Sequence, residues 1–233
     1  MHKSFLNPEI MLEKSLSFLT ILKENNYKEW FHENKPMYEE AKKEFEAFTG
    51  MLIQEICAID KSVSFLEPKD CIFRIFRDIR FTNDKTPYKT NFGAYMARGG
   101  GRKSEYGGYY FHLDPDNSLL AGGIWMPQPD VLKAVRMEIY HNVDEFLEII
   151  SNKEFKKHFG EIDQDSMLKT APKDFPKDWL HINLLKYKSY TLSKPLPPEM
   201  VISTGLLKEV QAVFKAMVPY NNFLNRVIED LKG

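Results

Sequence analysis

The chain has 233 residues, of which 43% are hydrophobic and 13% aromatic, and its formal net charge is −1. That length and apolar content can bury a sizeable core and exclude a disordered polymer. The near-zero charge excludes a global field that would draw the whole molecule to nucleic acid or an anionic membrane. Cys57 and Cys71 form no CxxC pair and sit among apolar residues, the pattern of free thiols in a reducing compartment. The opening Met1-His2-Lys3-Ser4-Phe5 lacks the charged-then-apolar order of a signal peptide. No apolar run approaches the roughly 18 residues of a membrane helix. The expectation is a cytoplasmic protein without a membrane segment, forming one domain over residues 1–233.

Leu12, Leu16, Leu19 and Leu22 recur at helical spacing and predict a helix from Glu9 to Lys23, stopped by Asn25-Asn26. Trp30-Phe31 then offers an aromatic anchor. Asn34 as N-cap and Pro36 in the first turn predict a long helix to about Asp60, with Tyr38, Ala41, Phe45, Phe48, Leu52, Ile56 and Ile59 near one face. After Pro68 the period changes to alternation. Residues 72–81 read as a strand and 82–87 as a turn; strands are expected at 91–97, 108–113 and 119–126, the last two as a hairpin around Asp114-Pro115-Asp116-Asn117. Arg98 to Ser104, with three consecutive glycines, reads as a mobile basic connection. Asp130 and Asp144 should cap two helices, and Lys153–Phe159 a shorter one. Residues 160–176 have no strong period, Trp179–Leu185 suggests a helical turn, and Tyr187–Leu192 looks extended. Two closing helices, 205–217 and 220–232, are expected on either side of Pro219. Short, closely connected strands favour antiparallel pairing. The fold class is therefore α+β: a helical N-terminal part, a central, mainly antiparallel sheet and a helical C-terminal part.

One stretch departs from ordinary core or loop composition. Residues 73–89 thread five cations and two carboxylates through large apolar side chains. From Lys69 to Lys103 nine Lys/Arg stand against three Asp, a local excess of +6 that leaves −7 for the remainder. Such a segment in an acidic body suggests an anion-binding surface. Guanidinium forks suit carboxylate and phosphate, so Arg74 and Arg80, with Lys85 and Lys89 as point charges, are candidate ligand contacts. Arg77 interrupts the apolar row Phe73, Ile75, Ile79 and Phe81 of the strand reading, and an arginine there needs a partner. Arg77, Asp78 and Asp84 are accordingly read as structural or orienting. An internal Arg–Asp network tying sheet to helices is the competing reading of the whole set.

His112, between Tyr110-Phe111 and Leu113 on an expected strand, is the best-placed proton carrier, with Tyr88 as a second catalytic candidate. Tyr109 and Trp125 could form an apolar wall beside the ligand. The six histidines show no HxH, HExxH or Cys/His spacing, so no metal site is expected. No GxSxG, GxxxxGK[ST] or GxGxxG framework appears, and no cofactor is expected.

The pattern Phe73-Arg74-x-x-Arg77-Asp78-x-Arg80-Phe81-x-x-Asp84-Lys85-x-Pro87-Tyr88-Lys89 resembles the signature of a conserved family classed as domain of unknown function 2461. Asn25-Asn26, Trp30-Phe31, Gly108-Tyr109-Tyr110-x-His112, Pro172-Lys173-x-Phe175-Pro176, Leu185-x-Tyr187-Lys188 and Pro195-Leu196-Pro197 carry the resemblance further, from about Leu16 to Leu231. It implies a single domain and makes the charged positions part of a family signature, without supplying a reaction. The functional expectation is a pocket for a small phosphate- or carboxylate-bearing molecule, with the 98–103 loop closing over it and His112 or Tyr88 moving a proton if chemistry follows. The alternative is a module that meets an acidic protein or a nucleic-acid backbone without turnover.

Overall fold

The computed structural model describes residues 12–232. The start of the predicted first helix, Glu9 to Met11, and the N-terminal segment with His2 lie outside the described residues. Helices α1 (Glu13–Glu24), α2 (Lys28–Glu33), α3 (Lys35–Ile59) and the short α4 (Pro68–Cys71) precede strands β1 (Phe92–Met96), β2 (Gly108–Leu113) and β3 (Leu119–Ile124). Then come α5 (Pro129–His141), α6 (Val143–Ser151) and α7 (Lys153–Phe159), strand β4 (Tyr190–Pro195), the short α8 (Pro198–Val201) and α9 (Leu206–Lys232). The fold is α+β. The sheet runs β1-β2-β3-β4 with every neighbour antiparallel, and β4 joins it only after the three helices that follow β3.

Alternation along the strands separates two faces. Phe92, Ala94 and Met96, Tyr109, Phe111 and Leu113, Leu120 and Ile124, and Tyr190 and Leu192 point inward and are buried. Helix α3 lays Phe45 against Phe92 and Phe48 against Phe111, with ring centroids 5.2 and 5.1 Å apart, and α9 lays Phe214 against Tyr109 at 5.2 Å. Each such side chain stabilises the fold by about 1.5–3 kcal/mol through burial alone. The outward face carries Tyr95, Tyr110, His112, Ala121, Thr191 and Ser193, all partly exposed.

Two local expectations give way to tertiary packing. Helix α9 runs through Pro219 without interruption. Pro219 itself is exposed, so the carbonyl left without a donor can take water, while Met217, Tyr220 and Phe223 on the other side are fully buried. The side chain of Asn34 does not cap α3; its Nδ2 donates back to the Trp30 carbonyl at 2.9 Å.

The same helix α9 fastens the entry to β2. Asn225 accepts from the Gly107 N–H at 2.7 Å and donates to the Gly107 carbonyl at 2.9 Å, and Asn221 donates to the Gly108 carbonyl at 3.0 Å. The basic 98–104 connection is also tied down. Arg98 pairs with Glu229 and lies 4.2 Å over the Tyr106 ring, and Arg102 donates to the Lys69 carbonyl. Gly101, at φ 61°, sits so close to α4 that a Cβ would meet the Asp70 carbonyl oxygen at 2.6 Å. This loop therefore serves as a strut between α4 and α9, which corrects the expectation of a mobile cover. Among the described residues no helix is long and apolar enough to cross a membrane.

Candidate functional site

Residues 72–81 do not form the expected strand. Ile72 makes a single bridge to Ala94 and the Phe73 N–H donates to the Gly93 carbonyl at 2.9 Å, after which the chain leaves the sheet. It folds back on itself instead. Phe76 bridges Tyr88, the Arg77 N–H donates to the Pro87 carbonyl (2.9 Å), and the Lys89 N–H donates to the Ile75 carbonyl (2.8 Å). Of the apolar row, Ile75 is 2% exposed and anchors the ribbon, whereas Phe81 is 92% exposed at its tip. The charged side chains close that tip locally, and this outcompetes extension of the strand.

The charges divide into two groups. Arg77 donates to Asp84 and to Thr86, and the Thr86 N–H and hydroxyl both reach Asp84, at 3.0 and 2.8 Å. The Thr86 backbone and then Arg77 hold the Asp84 carboxyl down at about 2. Arg80 grips Asp78 with two bonds, Nε–Oδ1 2.9 Å and Nη2–Oδ2 2.7 Å, which lowers the Asp78 pKa. Both aspartates are thus occupied by neighbours in the same loop. Lys85 caps the Ile79 carbonyl at 2.9 Å. Arg74, Lys85 and Lys89 form no ion pair among the described residues. The Lys89 ammonium is partly buried, 5.5 Å from the Phe73 ring centroid, and burial followed by the nearby Arg74 lowers its pKa.

Phe73 leads from these cations to the open face of the sheet. Its ring meets Tyr110 edge-on at 6.2 Å, and the Tyr110 hydroxyl lies 2.9 Å from His112 Nδ1. Asn91 Nδ2 stands 3.4 Å from the same nitrogen. The Asn91 amide nitrogen can only donate, which favours the tautomer with Nδ1 unprotonated and the proton on Nε2. Burial lowers the His112 pKa, against a smaller opposing effect of Asp114, which favours the neutral imidazole near pH 7. Gly93, opposite His112 in the ladder, makes room for this arrangement: a Cβ there would stand 2.6 Å from the Tyr110 hydroxyl oxygen.

Arg74, Lys89 and His112 are therefore linked through Phe73 and Tyr110, whereas three other candidates lie elsewhere. Tyr109 faces the core, 1% exposed, with its hydroxyl 2.9 Å from Asp60 Oδ2. Trp125 is 75% exposed past the end of β3, so the two do not form a wall. Tyr88 is buried, its ring stacked 4.0 Å from Phe31, and burial raises its pKa. Sequence reasoning missed Tyr110, Asn91 and Gly93 as members of the site. The two-residue period was the available signal, because it sets Tyr110 beside His112 and groups Tyr109 with Phe111 and Leu113.

A family model described as a conserved hypothetical protein, domain of unknown function 2461, matches residues 14–223. The chain belongs to that family. Neither the curated proteins nor the solved structures yield a match to it. In this member of the domain of unknown function 2461 family, an open cavity of about 460 Å³ lies between α5 and the end of α9, lined by Lys133, Met137, His141, Val227 and Asp230 among others. It contains none of the residues of the 73–89 segment. Among the described residues no three His, Cys, Asp or Glu side chains converge as metal ligands.

Proposed function

We propose that the protein binds a small phosphate- or carboxylate-bearing molecule at Arg74 and Lys89, beside His112. The observation that carries this reading is the partly buried Lys89 ammonium, its pKa lowered by burial and Arg74, while both aspartates of the loop are taken up by Arg77 and Arg80. Two neighbouring cations that repel each other gain most from an anion between them. Arg80 and Arg77 serve the loop rather than the ligand, and Lys85 holds the loop tip. Turnover would use His112, whose Nε2–H can donate to a bound oxyanion or leaving oxygen. The reading includes a cytoplasmic location, supported by the unpaired Cys57 and Cys71, and a single domain, supported by one continuous buried core.

The test is a thermal-shift titration with inorganic phosphate, sulfate and citrate. Binding raises Tm in a saturable way, and Lys89→Met abolishes the rise while leaving the ligand-free Tm close to wild type. No shift with any of the anions refutes the reading. A second reading, a contact surface for an acidic protein or a nucleic-acid backbone, is favoured by exposed Phe81 with Arg80 5.4 Å over its ring, a pairing that can stack on a base. It requires salt-dependent retardation of single-stranded probes that is lost in Phe81→Ser.

A further inference from the structure

The open cavity of about 460 Å³ between α5 and the end of α9 falls within the size range of small-molecule sites, roughly 300–1,000 Å³. Helix α5 turns Val131, Val135 and Ile139 into the core, which leaves Asp130, Ala134, Met137 and His141 to line one wall of the cavity. Val227 and Leu231, one turn apart on α9, line the other, and the lining is mainly apolar. Ala134 stands one turn from both Asp130 and Glu138, and its methyl group keeps the middle of the α5 wall low. The charges at the rim do not cancel. Lys133 is engaged by Asp174 at 2.8 Å, and Glu138 by Arg226 at 2.7 Å. Asp130 opens α5 and its Oδ1 accepts from the Val131 N–H at 2.9 Å. Asp230 is different: it lies in the last turn of α9, where the carbonyl end of a helix repels a carboxylate. Its neighbours are balanced, Glu229 by Arg98 and Lys232 by Glu105, whereas Asp230 forms no ion pair among the described residues.

We infer that this cavity binds a small organic cation, an ammonium group carried on an apolar body, with the ammonium at Asp230 and the body against Ala134, Met137, Val227 and Leu231. The site shares no residue with Arg74 and Lys89, so the inference does not depend on the anion-binding reading. An ammonium at Asp230 offsets both the carboxylate and the negative end of α9. No Phe, Tyr or Trp lines the cavity, so it offers no cage of ring faces for a quaternary ammonium. A protonated amine, whose N–H groups bond carboxylate oxygens directly, is the class that fits. An exposed ion pair contributes little by itself, and the hydrocarbon buried on the cavity floor supplies the rest of the affinity. The flexible thioether of Met137 adapts to bodies of different outline.

NMR titration following the Met137 methyl signal tests the assignment, with tryptamine, its neutral alcohol analogue tryptophol, indole-3-propionate and ethylamine as probes. Tryptamine should shift that signal and bind about five-fold or more tightly than tryptophol, with indole-3-propionate weaker still. Ethylamine, which lacks the apolar body, should bind at least about ten-fold more weakly than tryptamine. Asp230→Asn should cut the advantage of tryptamine over tryptophol to below about two-fold, because only the charge is removed. Ala134→Phe should abolish binding of both, with Tm as its control for folding; if that variant is unstable, Asp230→Asn decides alone. Equal affinity for amine, alcohol and acid refutes the inference, as does an amine advantage that survives Asp230→Asn. No shift of the Met137 signal with any probe also refutes it. If sedimentation instead shows a dimer that Ala134→Phe dissociates, a second copy of the chain closes the cavity and the small-cation assignment fails.

Discussion

Asn26 grips both backbone polar groups of Tyr88, accepting from its N–H at 3.1 Å and donating to its carbonyl at 3.0 Å. The clamp joins the α1–α2 turn to the residue immediately before Lys89, across 62 positions of sequence. Asn26→Leu removes both bonds and leaves two polar groups of a buried residue unpaired, a cost of about 2 kcal/mol. Urea denaturation should show the midpoint lowered accordingly, and the anion-induced rise in Tm should shrink because Lys89 loses its fixed position. A variant as stable as wild type would show that water replaces the clamp at no cost.

The Tyr110–His112 contact makes a separate prediction. A hydroxyl that donates to Nδ1 favours the neutral imidazole, so Tyr110→Phe should raise the His112 titration midpoint followed by NMR. Gly93→Ala should produce the same upward shift, because its methyl group occupies the space of the Tyr110 hydroxyl. If both variants titrate like wild type, the contact does not set the tautomer.

Much of this arrangement could be read from residue order alone. The alternation in 108–113 and the turn chemistry of Asp114–Asn117 predict the hairpin that carries His112, and the stripe from Tyr38 to Ile59 predicts α3. The 73–89 ribbon was not readable in the same way. Its apolar alternation is that of a strand, but the outcome depends on Asp78 and Asp84 meeting Arg80 and Arg77 within the loop, a competition that periodicity does not register. Pro219 misleads for a related reason: the local rule against proline in a helix is outweighed by the buried side chains on either side of it.

Arg77 and Arg80 should differ on mutation although both pair with aspartate. The Arg80–Asp78 pair is exposed and screened, so Arg80→Ala should leave Tm unchanged within error at physiological salt. Arg77 is more shielded and organises Asp84 and Thr86 together, so Arg77→Ala should lower Tm measurably and speed proteolysis between residues 78 and 86. Equal Tm values for the two variants would contradict this division.

Acid sensitivity should arise on α7. His158 is buried, and its Nδ1 lies 3.1 Å from the Lys194 ammonium, which also contacts Glu209; Lys157 and Glu154 complete its charged surroundings. Burial and then the two lysines lower its pKa, so the unfolded chain protonates first as pH falls. The resulting stabilisation is complete above the ordinary histidine value of about 6.5 and is lost as pH drops through the lower folded value. His112, also lowered, acts in the same direction. Tm should decline from pH 7 to pH 5, and His158→Gln should flatten that decline. An unchanged slope in the variant would assign the acid sensitivity to other groups.

The grip of Asn225 on Gly107 has a consequence for synthesis. Those residues are 118 positions apart, so the start of β2 waits for nearly the last turns of α9 to leave the ribosome. Until then the inward side chains of β1, β2 and β3 lack the cover that Phe214 and Met217 provide, and a nascent chain presents a partly built sheet with open apolar surface. A chain cut short within α9 would therefore be a target for chaperones and proteases even though every residue of the 73–89 ribbon had already been made.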